Sequence, residues 1–268
     1  MTSTRMIPTT LGPLAVTALG NGPSETTLVL WPSIFTDHRI HLGLARLLSP
    51  RHRLLLIDGP GHGQSPGRDS IFGIDDCARA MVQVMDAHGL HRAVVGGTSW
   101  GGLTGAALSL NSPDRVAALL LMNTPFRLGG PLPSLRSRFI ATGARRALWS
   151  RTFRNGVARS FFTPEALARD PAYAASFHDM LRRARPAPLA AAIRSVLLHG
   201  SPLADRAGAI AAPTLVIAGQ DDPMYPAADQ RACAAMIGKS HCVTVPGRHI
   251  SSVDAPQSVA DAITAFLD

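Results

Sequence analysis

A serine in GGTSWGG, two aspartates in GQDDP and a histidine in PGRH are the residues of this chain whose types and settings can do chemistry. Ser99 stands between Gly97 and Gly101, where an apolar run passes directly into a helical one and the glycines leave room for a sharp turn. A serine hydroxyl does not ionise near neutrality, so it attacks a carbonyl only if a base takes its proton and an acid orients that base. Asp221 or Asp222 offers the acid and His249 the base, in the chain order Ser, Asp, His. The chemistry such a set performs is acyl transfer. The amide of Trp100, in the first turn of the following helix, is placed to meet negative charge developing on the carbonyl oxygen.

These groups are far apart in sequence, and the pattern of elements has to bring them together. Short, almost unalternated apolar runs occur at 26–31, 53–58, 93–97, 116–123, 214–219 and 242–247, as expected for strands buried on both faces of a parallel sheet. Segments with three-to-four apolar spacing separate them at 41–49, 75–89, 102–112, 227–238 and 256–267, so the spacing predicts helices covering both faces. LAVTAL (14–19) alternates and is expected to begin an antiparallel edge hairpin. Between 123 and 214 the rhythm stops: helical stretches near 135–150, 152–161, 173–185 and 187–198 follow with no convincing strand, and so long an interval reads as a helical insertion over one end of the sheet. In such a sheet the loops that carry Ser99, the aspartates and His249 all leave carboxyl ends of strands, where ligands bind in open α/β folds.

Composition narrows the function classes. With 268 residues and 46% apolar content the chain can bury a large core. Three scattered cysteines, Cys77, Cys233 and Cys242, lack metal-ligand spacing and suit a reducing compartment, and neither an export signal nor a membrane span is legible, so a cytoplasmic location is expected. Residues 124–205 hold 13 arginines against four acids, more than the whole formal net charge of +8. Arginines spread along helices read first as a solvated or salt-bridged face rather than a nucleic-acid footprint; the functional alternative is a field near an entrance that favours an anionic substrate. The expected partner is a small molecule, with no nucleic acid and no membrane, and a homo-oligomer is left open.

The other histidines have plainer readings. His62, among glycines in a tight turn, is expected to hold its loop by hydrogen bonds. His38 and His41 share a helical face, but a metal would need a third ligand that the sequence does not place. No metal and no organic cofactor is expected, because the mechanism needs none and no nucleotide-binding glycine motif follows the first parallel strand.

Taken together, LVLWPSIFTDHR, DGPGHGQS, GTSWG and the two strand-end segments TLVIAGQDDP and VTVPGRH resemble, in order and over nearly the full length, the α/β-hydrolase fold family, with similarity to its branch of 3-oxoadipate enol-lactone hydrolases and esterases. The resemblance implies a core of residues 1–123 and 206–268 with a helical cap at 124–205. It implies Ser99 as nucleophile, His249 as base, and Asp222 rather than Asp221 as acid, since the family's acid follows its glycine, here Gly219, by three positions. It also implies Ile34 as the second oxyanion amide beside Trp100. Most relatives carry His-Gly where this chain has Pro32-Ser33, and Phe35 replaces a glycine of the lactone-opening branch, putting bulk near the site. Phe35, Phe126, Trp149, Phe153 and Met224 are the candidate pocket residues, with Met122, Phe161 and Phe162 as further apolar candidates. The activity implied is hydrolysis of a carboxylic ester or lactone of a small to medium, partly apolar substrate. The alternatives are carbon–carbon (diketone) or thioester cleavage by the same three groups, or a non-catalytic ligand-binding relative.

Overall fold

The structure is a computed structural model that describes residues 3–20, 26–124, 126, 140, 150–199 and 203–268. Eight strands form one sheet in the order β1-β2-β4-β3-β5-β6-β7-β8. They are β1 (Ser3–Ile7), β2 (Leu14–Leu19), β3 (Thr27–Trp31), β4 (Arg53–Ile57), β5 (Ala93–Thr98), β6 (Val116–Met122), β7 (Thr214–Gly219) and β8 (Ser240–Val245). From β4 across to β8 every pairing is parallel, whereas β1, β2 and β4 pair antiparallel. LAVTAL is therefore the second strand of the edge hairpin, not its first. Its partner STRMI is exposed along four of five residues, and so carries no apolar signal.

The unalternated runs are explained by what covers each face. Leu28, Leu30, Leu54 and Leu56 pack with Leu44, Ala45 and Leu48 of α1 (Leu42–Leu48) and with Val259, Ala260 and Ile263 of α10 (Pro256–Leu267). Val29, Trp31, Leu55 and Ile57, the alternate residues, pack on the other side with α2 (Ile74–Ala87) and α3 (Trp100–Asn111). Side chains alternate across a strand, so both phases must be apolar when both faces are covered.

Between β6 and β7 the described chain is helical: α4 (Arg151–Phe161), α5 (Pro164–Arg169), α6 (Pro171–Arg183) and α7 (Pro186–Leu198). Each of the first three starts with a side-chain cap, from Ser150, Thr163 and Asp170, and the last three carry a proline in the first turn, where the missing N–H is harmless. Phe162 joins these helices, its ring edge-on to Tyr173 and Phe177. The helical stretch expected near 135–150 falls almost wholly outside the described residues. Two further short helices, α8 (Ala227–Ala235) and α9 (Ser251–Asp254), complete the order. Among the described residues no helix is long and apolar enough to cross a membrane.

Candidate active site

Ser99 follows the last residue of β5 with φ 55° and ψ −104°, and opens α3 as its N-cap. Such a backbone costs a non-glycine residue about 1–3 kcal/mol and persists only where neighbours enforce it. Here the amide of Ser99 donates to the Met122 carbonyl at 2.8 Å and its carbonyl accepts from Leu103 at 3.0 Å. The flanking glycines are required by a neighbouring strand. A Cβ on either Gly97 or Gly101 would collide with the carbonyl of Trp31, the last residue of β3. That close approach presses the loop after β3, with Pro32 to Phe35, against the turn that holds Ser99.

The ends of β7 and β8, beyond β6 in the sheet, carry the other two groups. Thr98 is level with Met122, Met122 with Ile217, and Gly219 with Val245, so the loops after β5, β6, β7 and β8 leave along one rim. Asp222 is buried and its Oδ2 lies 3.0 Å from Nδ1 of the equally buried His249; Asp221 is exposed, its amide bonded to Gly247 O. Oδ1 of Asp222 accepts the amides of Met224 at 2.9 Å and Tyr225 at 3.1 Å, and Oδ2 also accepts from the Asn123 side chain at 3.1 Å. Burial opposes ionisation of this carboxyl, but the hydrogen bond and charge of His249, with the Met224 and Asn123 donors, hold it below the usual carboxylate range. A carboxylate can only accept, so Nδ1 carries the proton and Nε2 keeps the lone pair with which a base acts. The ring is held between Phe161 (5.2 Å between centroids) and Tyr225 (5.4 Å).

Trp100 contributes an amide of the first helical turn, one of those a helix cannot satisfy internally. Its indole is fully buried against Trp31, His62 and Phe72, away from the apolar cavity described next. Ile34 and Phe35 lie in the turn closed by Thr36 N to Ser33 O at 3.3 Å, and Phe35 has φ 62°. They line a cavity of about 290 Å³ with Ile140, Phe153, Gly156, Val157, Ser160, Phe161, Leu197 and Met224. Of the candidate pocket residues Phe35, Phe153 and Met224 thus meet, joined by Phe161. Phe126 is buried with its amide on Cys233 Sγ, outside that lining, and Trp149 lies outside the described residues. Met122 packs toward α1 and α10 on the opposite face.

Two contacts here have no counterpart in the sequence reading, although His62 does hold its own turn as expected, through Nδ1 and the Pro60 carbonyl. Asn123, at φ 48°, bonds Asp222, the Arg248 carbonyl and Ser251 through one side chain. His62 reaches beyond its own turn to the Phe35 amide. The third ligand that His38 lacked in sequence is also visible: donor atoms of Asp37, His38 and Asp58 lie within 4.8 Å of one another. They are engaged already, Asp58 with the His38 amide and ring and Asp37 with Arg39; His41 turns instead to the Trp31 carbonyl. Burial disfavours the charged form of His38, yet its hydrogen bond to Asp58 and the charges of Asp58 and Asp37 raise its pKa. Along α6, Arg182 and Arg183 pair with Asp179 at the surface, as a solvated face would.

A sequence profile of the alpha/beta hydrolase fold matches residues 26–256. The chain belongs to the α/β-hydrolase fold family. This family member is 33% identical over 188 residues to a putative carbamate hydrolase RutD of Variovorax paradoxus, 68% of each chain being covered. It is 29% identical to a pimeloyl-(acyl-carrier protein) methyl ester esterase of Xanthomonas campestris pv. campestris, over 94% of this chain and 98% of that one. The enol-lactonase of Burkholderia xenovorans superposes with a TM-score of 0.89 at 26% identity, covering 98% of this chain and 99% of the other. This α/β hydrolase thus resembles family members named as esterases and lactonases.

Proposed function

We propose that this α/β hydrolase cleaves a carboxylic ester or lactone through an acyl-serine intermediate. His249 Nε2 takes the proton of Ser99 as its oxygen attacks the carbonyl, and Asp222 fixes the tautomer and stabilises the imidazolium. The amides of Ile34 and Trp100 receive the oxyanion. Collapse of the tetrahedral adduct expels the alcohol, which takes the proton from His249. Water, deprotonated by the same Nε2, then attacks the acyl carbon, and collapse of that adduct releases the acid as Nε2 returns the proton to the Ser99 oxygen. Residues 1–123 and 206–268 form the core that carries these groups, and 124–205 the cap above them.

The observation that carries this reading is the buried 3.0 Å pair of His249 and Asp222, after β7 and β8 on the same rim of the sheet as the strained turn of Ser99. The cavity beside Ile34 supports an apolar acyl group: its lining is almost wholly aliphatic and aromatic, and about 290 Å³ stands at the small end of the ~300–1,000 Å³ usual for ligand sites. Hydrolysis of p-nitrophenyl acetate, butyrate and octanoate by the protein and by Ser99→Ala tests the proposal. The expected result is turnover lowered by about 10⁴-fold or more in the variant; equal turnover removes the assignment. A carbamate and a methyl ester belong in the same panel, because both relatives' names specify such bonds and both bonds present a carbonyl to the same three groups.

A further inference from the structure

The oxyanion loop of this chain has Pro32-Ser33 where a histidine side chain could otherwise order it, and it contains a phenylalanine at positive φ. Something else has to hold it. His62 lies in the turn after β4, 27 residues away in sequence, is 1% exposed, and has its Nε2 3.0 Å from the amide of Phe35. Its Nδ1 lies 3.0 Å from the carbonyl of Pro60, which can only accept. Nδ1 must therefore carry the proton, and Nε2 is an acceptor for the Phe35 N–H. One neutral tautomer satisfies both contacts. Burial lowers the pKa of this imidazole to about 4, against the Pro60 carbonyl and the charges of Asp37 and Asp58, so that tautomer persists at neutral pH.

We propose that His62 is the positioning residue of the oxyanion hole: its Nε2 fixes the Ile34–Phe35 peptide and so holds in place the turn that carries the Ile34 amide. The turn from Ser33 to Thr36 explains how. Phe35 is its third residue, where positive φ goes with one of the two orientations of the central peptide. For a bulky side chain that orientation is the strained one, and flipping the peptide would relieve it. The acceptor on His62 opposes the flip. The same ring packs 5.4 Å from the indole of Trp100, so one side chain braces both loops that supply oxyanion donors. On the far side Phe35 is edge-on to Phe153 and Phe161, and Phe161 in turn contacts His249.

The inference rests on the proposed acyl transfer, but its first test does not. Hydrogen exchange at the Phe35 amide, followed by NMR, should be slow in the protein, faster by about tenfold or more in His62→Leu, and intermediate in His62→Gln, whose amide oxygen can accept. Unchanged exchange in folded His62→Leu would overturn the anchoring. The second test is kinetic. With p-nitrophenyl butyrate, His62→Leu should lower kcat by roughly 10- to 100-fold, less than the ~10²–10³ for a donor removed outright, with KM within about twofold. His62→Gln should recover part of that loss. In a Phe35→Gly background, where positive φ carries no strain, the same substitution should cost several-fold less. Equal losses in both backgrounds, or a rise in KM alone, would contradict a positioning role. If the unaltered protein turns over no ester, the proposed function fails, while the exchange rates still decide whether His62 holds the loop.

Discussion

The side-chain amide of Asn123 donates at 3.1 Å to Asp222 Oδ2, the same oxygen that receives Nδ1 of His249. Asn123 is fixed in turn by Ser251, whose hydroxyl donates to its Oδ1 at 2.6 Å, and by the Arg248 carbonyl, which accepts from its Nδ2 at 3.0 Å. One residue after β6 therefore ties the acid loop to the base loop. A hydrogen bond to a charged group is worth about 1.5–3 kcal/mol. Asn123→Ala should accordingly reduce kcat for p-nitrophenyl butyrate by about 5- to 20-fold with little change in KM, in line with part of that energy acting in the transition state. An unchanged kcat would show that His249 and Asp222 keep their alignment without it.

Acid should destabilise the fold in two stages. His41 and His62 are buried, and burial brings each pKa from 6.5 to about 4 despite their backbone acceptors. Between pH 6.5 and 4 the unfolded chain binds protons that the folded one refuses, so stability present above pH 6.5 is lost as the pH falls to about 4, by roughly 3 kcal/mol per histidine. Asp222 adds a second loss. Its folded pKa lies below its unfolded one, so its contribution is present above the unfolded value and disappears as the pH falls through the folded value. Urea midpoints at pH 7.5, 5.5 and 4.5 should fall steadily, and less steeply in His41→Gln. A midpoint flat over that range would contradict neutral burial of the two rings.

Much of this was legible locally. Ser99 announces itself because the glycines, strand and helix that make its turn are adjacent in sequence, and the strands because both phases of each run are apolar. The choice of Asp222 over Asp221 is not local, since the two differ only in which one the turn directs at residue 249. Asn123 and the reach of His62 to Phe35 have no sequence signature, because the partners lie 99 and 27 positions away and meet only when β5, β6 and β7 or β3 and β4 are side by side. The edge strand β1 is silent for the opposite reason: exposed along four of its five residues, it has only Met6 and Ile7 as apolar residues, too few to make a run.

The glycine at 101 should be irreplaceable for packing reasons. Any Cβ there meets the Trp31 carbonyl, which belongs to a central strand and cannot swing away as a side chain would. Gly101→Ala should destabilise the protein by about 2–4 kcal/mol in chemical denaturation, with loss of esterase activity in the folded fraction. A neutral effect would mean that the β3 end is free to move.

Gly156 separates stability from specificity. It lies within α4 and lines the apolar cavity, and a Cβ added to it meets nothing within 4 Å. Gly156→Ala should therefore stabilise the helix, by about 0.5–1 kcal/mol. Gly156→Leu should fill the cavity and lower kcat/KM for the octanoate ester by roughly tenfold or more while sparing the acetate. Equal effects on both esters would place the acyl chain elsewhere.

Attack by Ser99 is tested most directly by covalent trapping. After treatment with a fluorophosphonate, intact mass and peptide mapping should show one adduct, on Ser99, forming at least a hundredfold more slowly in His249→Ala. No adduct under conditions that label an active esterase, or an adduct on another residue, would contradict a nucleophile at this turn.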